Sequence, residues 1–474
     1  MDLSQLTLQE AAQGLREKKF RSLDLTQSCL KKIKEMEPDL LAFLKVGEKE
    51  ALAQAEAADQ LLEKGGEASL LTGIPLAVKD NILVQGMSCT AASQILKNYL
   101  APYDATVIRR LKESKAVILG KTNLDEFAMG SSTENSSFQI THNPCDLERV
   151  PGGSSGGSAA AVKGGEAIYS LGSDTGGSVR QPAAFCGLVG LKPTYGAVSR
   201  FGLIAFASSL DQIGPLTKTV ADSRLVFQEL RGKDGRDATT QPEGENVSRF
   251  SLQKLRIGLL KDDLLKEVDP AIVRRIKEMV GELEKAGAKV EVLDFSSLLF
   301  ALPTYYIITP AEASANLARY DGIKYGKSAA ASDLEEVYRL TRGEGFGPEV
   351  KRRIILGTFV LSAGYAEAYY QKAWKVRELI ADDFRKAFQK VEVIISPTTP
   401  SLPFKIGEKV QDPVQMYASD LLTAPASLAG LPALNVPVGE IDHLPVGLQI
   451  MGPAFQEELL FQVGEEIEKL TPSR

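Results

Sequence analysis

Hydrophobic and polar positions divide the chain into an opening helical part and a longer part that alternates strands with helices. Thr7 and Glu10 form a capping box before the helical run from Ala11 to Glu17. Ser22 reads as the cap of a second helix, with Leu25, Cys29, Leu30 and Ile33 on one face. A third amphipathic stretch runs from about Gly47 to Leu62 and stops near Gly65 and Gly66. The texture then changes. Ile74 to Val78 is a short apolar run between Gly73 and Asn81, which predicts a buried strand ending on Lys79. A helical stretch with Val107, Ile108 and Leu111 follows, then a strand from Ala116 to Leu119. The turn-rich stretch from Glu126 to Phe138 reads as an exposed loop.

Ser154 to Lys163 reads as a helix opening, Ala167 to Leu171 as a strand, and Gly172 to Ser178 as a tight glycine-rich loop before another helical turn. Farther on, Leu255 to Leu260 is a strand. Asp269 and Pro270 then give an N-cap with proline at the first helical position, and Ile272, Ile276, Met279 and Leu283 share one face of that helix. Val290 to Leu293 and the proline-stopped run from Val391 are further strands. This rhythm predicts an α/β fold: one large mixed, mostly parallel sheet with helices on both faces and a helical N-terminal layer. The expected organisation is a single unit over 1–474, with the helical layer at 1–66, the core at 67–230 and 251–470, and a polar surface loop at 231–250.

Composition narrows the chemistry more than the fold. The 474 residues are 44% hydrophobic and 24% charged, ordinary for a globular protein, and the net charge of −6 argues against a general nucleic-acid binder. There is no apolar run long enough to span a membrane and no signal-peptide pattern at the start, so no membrane partner is expected and a cytoplasmic location is. The four cysteines are scattered without a C-x-x-C pair, and only His142 and His443 are histidines, so no metal site is expected.

The stretch from Val150 to Pro182 carries the candidate chemistry, with two glycine/serine clusters around Ser154 and Ser178. Gly152-x-Ser154-x-Gly156 matches a nucleophile elbow, but no buried strand precedes it, and its base would have to be His443 in a turn-like sequence. A phosphate-binding loop fails too, because no lysine precedes the last serine. A lysine base remains. Serine becomes a nucleophile once a base removes its proton, and lysine serves when burial holds it neutral. The candidates are Lys79, Ser154 and Ser178.

These residues resemble the amidase signature family. The resemblance implies a Ser–cisSer–Lys triad with Ser178 as nucleophile, Ser154 as the bridging serine after a cis peptide, and Lys79 as general base. Thr175, Gly176 and Gly177 would supply backbone N–H groups to the oxyanion. The stretches Tyr320 to Gly326, Thr341 to Tyr365 and Met416 to Pro425 are similar to the branch of the family that serves tRNA-dependent amidotransferases. That likeness implies glutamine as substrate, with Arg353 on its carboxylate, Asp420 on its ammonium, and the loop at Met129, Gly130 and Ser131 also in contact. Arg352 is the alternative to Arg353. The resemblance also implies partner subunits B and C in a heterotrimer, and a misacylated tRNA held mainly by the first of these partners. ATP and magnesium would act in a partner subunit, with no cofactor in this chain. A stand-alone amidase for other carboxamides and a non-catalytic scaffold subunit are the alternatives.

Overall fold

The computed structural model describes residues 2–65, 68–242 and 251–471. Among the described residues eleven strands form one sheet: β1 (Phe43–Val46), β2 (Pro75–Lys79), β3 (Val117–Thr122), β4 (Tyr169–Asp174), β5 (Val189–Lys192), β6 (Gln212–Thr217), β7 (Arg256–Leu260), β8 (Lys289–Leu293), β9 (Val393–Pro397), β10 (Ala433–Ile441) and β11 (Leu444–Met451). Their spatial order is β1-β3-β2-β4-β6-β5-β10-β11-β9-β7-β8. Every residue of β2, β3, β4, β6 and β9 is buried. Alternate residues of a strand point to opposite sides, so both faces of the sheet are covered.

The α/β fold and the mixed sheet agree with the sequence expectation, but "mostly parallel" needs correction. The β3–β2, β2–β4, β9–β7 and β7–β8 pairs are parallel, and the other six neighbouring pairs are antiparallel. Parallel pairing therefore occupies two flanks around an antiparallel middle. The rhythm of strand and helix reported only the flanks. In the middle, β10 and β11 form a hairpin whose two-residue turn, Asp442 and His443, has φ of 51° and 64°. Positive φ at both positions gives the turn twist that matches paired strands. Pro437, Gly439, Pro445 and Gly447 hide these strands from a reading by composition.

The opening helices are α1 (Leu8–Arg16), α2 (Ser22–Leu40) and α3 (Glu48–Glu63). The Thr7 capping box forms, with the Glu10 carboxylate accepting the Thr7 N–H at 2.8 Å. Ser22 is not a cap. Its hydroxyl donates to the Gly73 carbonyl at 2.8 Å, while Asp59 of α3 accepts the Ser22 and Leu23 N–H groups. A carboxylate from a neighbouring helix thus satisfies the free donors that a local serine was expected to cap.

The helices that follow include α4 (Thr106–Glu113), α5 (Gly156–Lys163), α6 (Arg180–Cys186), α7 (Val220–Leu230), α8 (Pro270–Lys285), α9 (Ala301–Asn316), α10 (Leu334–Gly345), α11 (Pro348–Leu361) and α12 (Gln371–Ala387). In α8, Asp269 caps the Ala271 N–H at 2.8 Å and the expected apolar face is buried. The start of the expected surface loop is partly tucked in: Asp234 is buried and accepts from Ser199 Oγ at 2.7 Å. Residues 243–250 lie outside the described residues. The stretch from Glu126 to Thr133, expected to be exposed, is buried. Its turn-forming residues spend their polar groups on one another and on Asp125 instead of on water.

Candidate active site

β3, β2 and β4 run parallel, so their carboxyl ends lie along one edge, where open α/β sheets place ligands. Lys79 is the last residue of β2, in register with Thr122 at the end of β3. Its side chain has no exposed surface. The Nζ donates to Ser154 Oγ at 2.8 Å, to Ser155 Oγ at 2.7 Å and to the Ser173 carbonyl at 3.2 Å. Ser154 is fully buried and follows a cis peptide bond from Gly153, just before α5.

Three acceptors suit the three N–H bonds of an ammonium. A neutral amine keeps two donors and turns its lone pair to the third oxygen. The Ser173 carbonyl has no proton to give, and the Ser155 hydroxyl donates to that same carbonyl at 3.2 Å. Ser154 therefore carries the hydroxyl proton that a neutral Lys79 can accept. Burial brings the Lys79 amine down from the ordinary lysine range to about 7, against the pull of Asp125, Asp174 and Asp211, whose negative charge favours the ammonium.

Ser178 lies between β4 and α6, and its backbone carbonyl accepts the Ser155 N–H at 3.1 Å. It keeps 8% of its surface exposed while Lys79 and Ser154 keep none, so of the three serine and lysine candidates it is the one a small molecule can reach. Asp174 holds this loop. It receives the Arg180 guanidinium through Nε at 3.0 Å and Nη2 at 2.8 Å, and both side chains are fully buried. Arg180 in turn donates to the Thr423 carbonyl, Gln449 and Ser427, so the nucleophile candidate is tied to the far half of the chain.

One expected oxyanion donor is occupied. The Gly177 N–H donates to Asp174 Oδ1 at 2.9 Å, and the Val179 N–H to Oδ2 at 3.1 Å. Asp174 thus removes Gly177 from the expected set of oxyanion donors. The N–H groups of Thr175, Gly176 and Ser178 have no acceptor among the described residues. Gly176 must be glycine here, because a Cβ would sit 2.4 Å from the ring of Tyr305.

Arg353 and Asp420 come together although 67 positions separate them. Arg353 lies on the inner side of α11 with 3% of its surface exposed, whereas the Arg352 side chain is 42% exposed, so Arg353 is the inward arginine. Its guanidinium sits 5.3–5.4 Å from the ring centroids of Phe206, Tyr306 and Tyr417, a cation–π enclosure. Its Nε donates to Glu349 at 2.8 Å, and Tyr417 Oη donates to the same carboxylate oxygen at 2.8 Å. The Nη1 and Nη2 fork makes no hydrogen bond among the described residues and can meet a carboxylate two-pronged.

Asp420 accepts from Tyr306 Oη at 2.7 Å and from Ser131 Oγ at 3.0 Å. Burial raises its carboxyl to about 6, with the Tyr306 hydrogen bond and Arg353 opposing. Tyr306 thus touches both charged groups, stacking on Tyr417 at 4.1 Å between centroids. Met129 is buried, and its carbonyl accepts from the Asn135 side chain at 3.1 Å. Gly130 lies against Asp125, where a Cβ would fall 2.3 Å from the carboxyl carbon.

Sequence reasoning missed Ser155, Asp125, Asp174, Glu349 and Tyr306. Asp174 and Arg180 flank Ser178 in sequence, so an acid and a base around a glycine-rich loop were a usable signal. Tyr306 and Glu349 carried none, because only the packing of α9 on α11 brings them in. Among the described residues no group of three or more His, Cys, Asp or Glu side chains could hold a metal ion. A cavity of about 520 Å³ lies elsewhere, between α1, α2 and α3, and holds none of these residues.

A buried lysine against a serine at a cis peptide, with a second, more exposed serine in the glycine-rich loop nearby, suits amide hydrolysis by a serine with a lysine base. The chain belongs to the amidase family, whose model matches residues 24–461. Among curated relatives it is similar to the A subunit of the glutamyl-tRNA(Gln) amidotransferase of Thermoanaerobacter pseudethanolicus, at 50% identity over 99% of this chain and 97% of that one. It is 51% identical to the protein of the same name from Geobacillus kaustophilus, over 99% and 98%. Among solved structures it is similar to the A subunit of the glutamyl-tRNA(Gln) amidotransferase from Thermotoga maritima, with a TM-score of 0.82 and 43% identity over 100% of this chain and 96% of that one. The peptide amidase of Stenotrophomonas maltophilia also matches, with a TM-score of 0.82 and 30% identity over 99% and 97%.

Proposed function

We propose that this chain is the glutamine-hydrolysing subunit of a tRNA-dependent amidotransferase. The observation that carries the reading is the buried pair Arg353 and Asp420 across Tyr306. A guanidinium fork and a carboxylate held in one pocket fit the α-carboxylate and α-ammonium of a free amino acid, which a general amidase has no reason to build. Relatives at 50% identity that bear the glutamyl-tRNA(Gln) amidotransferase name support it.

In this reading neutral Lys79 draws the proton of Ser178 through Ser154, and Ser178 Oγ attacks the side-chain carbonyl carbon of glutamine. The tetrahedral oxyanion takes hydrogen bonds from backbone N–H groups at Thr175, Gly176 and Ser178, each worth roughly two to three powers of ten in rate. The relay returns the proton to the departing nitrogen, ammonia leaves, and a γ-glutamyl ester remains on Ser178. Water, deprotonated by the same relay, releases glutamate. Ser131 supports Asp420, and Met129 and Gly130 shape the wall beside it.

The ammonia then serves a heterotrimer with subunits B and C. The first of these partners holds most of the misacylated tRNA and uses ATP and magnesium to convert Glu-tRNA(Gln) to Gln-tRNA(Gln), or Asp-tRNA(Asn) to Asn-tRNA(Asn). The work belongs in the cytoplasm, where translation occurs, and no helix among the described residues is long and apolar enough to cross a membrane. Reconstitution with subunits B and C, ATP, glutamine and Glu-tRNA(Gln) tests the proposal. Gln-tRNA(Gln) is expected to form, and to be lost with Ser178→Ala unless ammonia is added. Equal yields from both proteins with glutamine alone would sink it.

A further inference from the structure

The carboxylate of Glu126 is buried and clamps together two segments that meet only in the tertiary structure. One oxygen accepts the backbone N–H of Gly347 at 2.8 Å. The other accepts the Ser93 hydroxyl, which also lies 3.2 Å from the Gly345 carbonyl. Gly347 is the residue before α11, and no side chain of its own caps that helix. Arg353 lies six residues into the same element. On its other side, Glu126 opens the segment that leads through Met129 and Gly130 to Ser131, the hydrogen-bond partner of Asp420.

That segment is held in an unfavourable backbone. Phe127 and Ala128 have φ of 50° and 62°, a region that side-chain-bearing residues rarely enter. Such conformations persist only when surrounding contacts fix them. Asp125 accepts the N–H groups of Thr133 and Asn135 downstream, at 2.9 and 3.1 Å. Phe127 packs against Phe346, with centroids 5.6 Å apart, and against Tyr320 at 5.0 Å. Glu126 supplies the polar connection from this segment to the start of α11. The two ends of the amino-acid pocket, Arg353 on one side and Ser131 with Asp420 on the other, are therefore set relative to each other through this carboxyl group.

We infer that Glu126 is a positioning residue for glutamine, fixing the spacing between the carboxylate-binding and ammonium-binding ends of the pocket without touching the reacting atoms. This rests on the glutaminase reading above. The expected signature is a split between binding and chemistry. In the full chain assembled with its partner subunits, Glu126→Ala raises KM for glutamine by about tenfold or more, because two hydrogen bonds to a buried carboxyl group are lost. It leaves the rate at which a small sulfonyl fluoride labels Ser178 within about twofold of wild type, since Lys79, Ser154 and Asp174 keep their contacts. Glu126→Gln keeps an acceptor for the Gly347 N–H and restores KM to within about threefold.

Ser93→Ala, which removes only the second anchor, raises KM by roughly threefold and keeps the proposal testable should Glu126→Ala fail to accumulate. An unchanged KM in Glu126→Ala, or in Ser93→Ala where that is the measurable variant, overturns the inference. So does a parallel loss of labelling and glutamine turnover, which would mark Glu126 as a stabilising residue only. A wild-type complex that neither hydrolyses glutamine nor is labelled at Ser178 overturns the glutaminase reading itself, and the inference with it.

Discussion

With Lys79 in the proposed role of base, its protonation sets the pH dependence expected of this site. The perturbation is pH itself, between about 5.5 and 9. Burial lowers the Lys79 amine to about 7, against the pull of Asp125, Asp174 and Asp211. At pH 7 roughly half of the molecules then hold a neutral amine, whereas a lysine left at 10.4 would be neutral in about 1 of 2,500. The neutral fraction rises from roughly 0.1 at pH 6 to roughly 0.9 at pH 8, so the acylation rate is expected to climb about tenfold across that interval and then level off.

A second group acts at lower pH. In the proposed role Asp420 must be ionised to hold an ammonium, and its carboxyl is raised by burial to about 6. The two effects separate in the kinetics. The kcat/KM profile reports the free enzyme and should contain both groups, falling more steeply below pH 6. The kcat profile reports the complex, where the ammonium of bound glutamine keeps Asp420 ionised, and should contain Lys79 alone. Single-turnover release of ammonia from glutamine, measured over the pH range, is the assay. A kcat that is flat from pH 6 to 8, or one that keeps rising past pH 9 toward the ordinary lysine value, would refute Lys79 as the base.

Arg353→Ala is expected to raise KM for glutamine by roughly two orders of magnitude, the worth of two hydrogen bonds to a charged group, with a much smaller change in kcat; an equal penalty on a primary amide lacking the α-carboxylate would contradict the assignment. Asp174→Ala leaves the buried Arg180 guanidinium without its carboxylate and should destabilise the fold by about 3–5 kcal/mol, read as a lower urea midpoint, since removing one partner strands a buried charge. Glu166 is buried with neither carboxylate oxygen hydrogen-bonded, and burial raises its carboxyl from the usual range to about 10. Its folded value lies above its unfolded value, so the stability its neutral form confers is full below about pH 4.3 and is lost, by roughly 1.4 kcal/mol per pH unit, as pH rises toward 10. Glu166→Gln should therefore have the higher urea midpoint at pH 8 and a similar one near pH 4; equal midpoints at both would refute the burial argument.

Local physics makes much of this protein legible in its sequence. The capping box at Thr7, the Asp269–Pro270 helix start and the apolar runs ending at Lys79 and from Val391 are short-range signals, and each element lies where its pattern put it. Lys79, Ser154 and Ser178 were visible because a histidine-poor chain leaves few other bases. Arg353 and Asp420 were reached only through resemblance, because a lone arginine or aspartate on a helix looks like any solvated face.

The tertiary structure decided what depends on distant chain segments meeting. Asp59 took the capping role expected of Ser22, and Asp174 occupied the Gly177 N–H that was expected to serve an oxyanion. The antiparallel middle of the sheet followed from pairings no local pattern encodes. Burial gave Lys79 its lowered proton affinity, and burial belongs to the assembled fold. Sequence by itself determined which groups are present and which elements carry them, since capping, periodicity and turn chemistry act over a few residues. Which groups share a pocket, which lose water and which hydrogen bonds are already spent were settled only when β2, α5, α9 and α11 came together, because solvation and charge interactions depend on distance in space and not on distance along the chain.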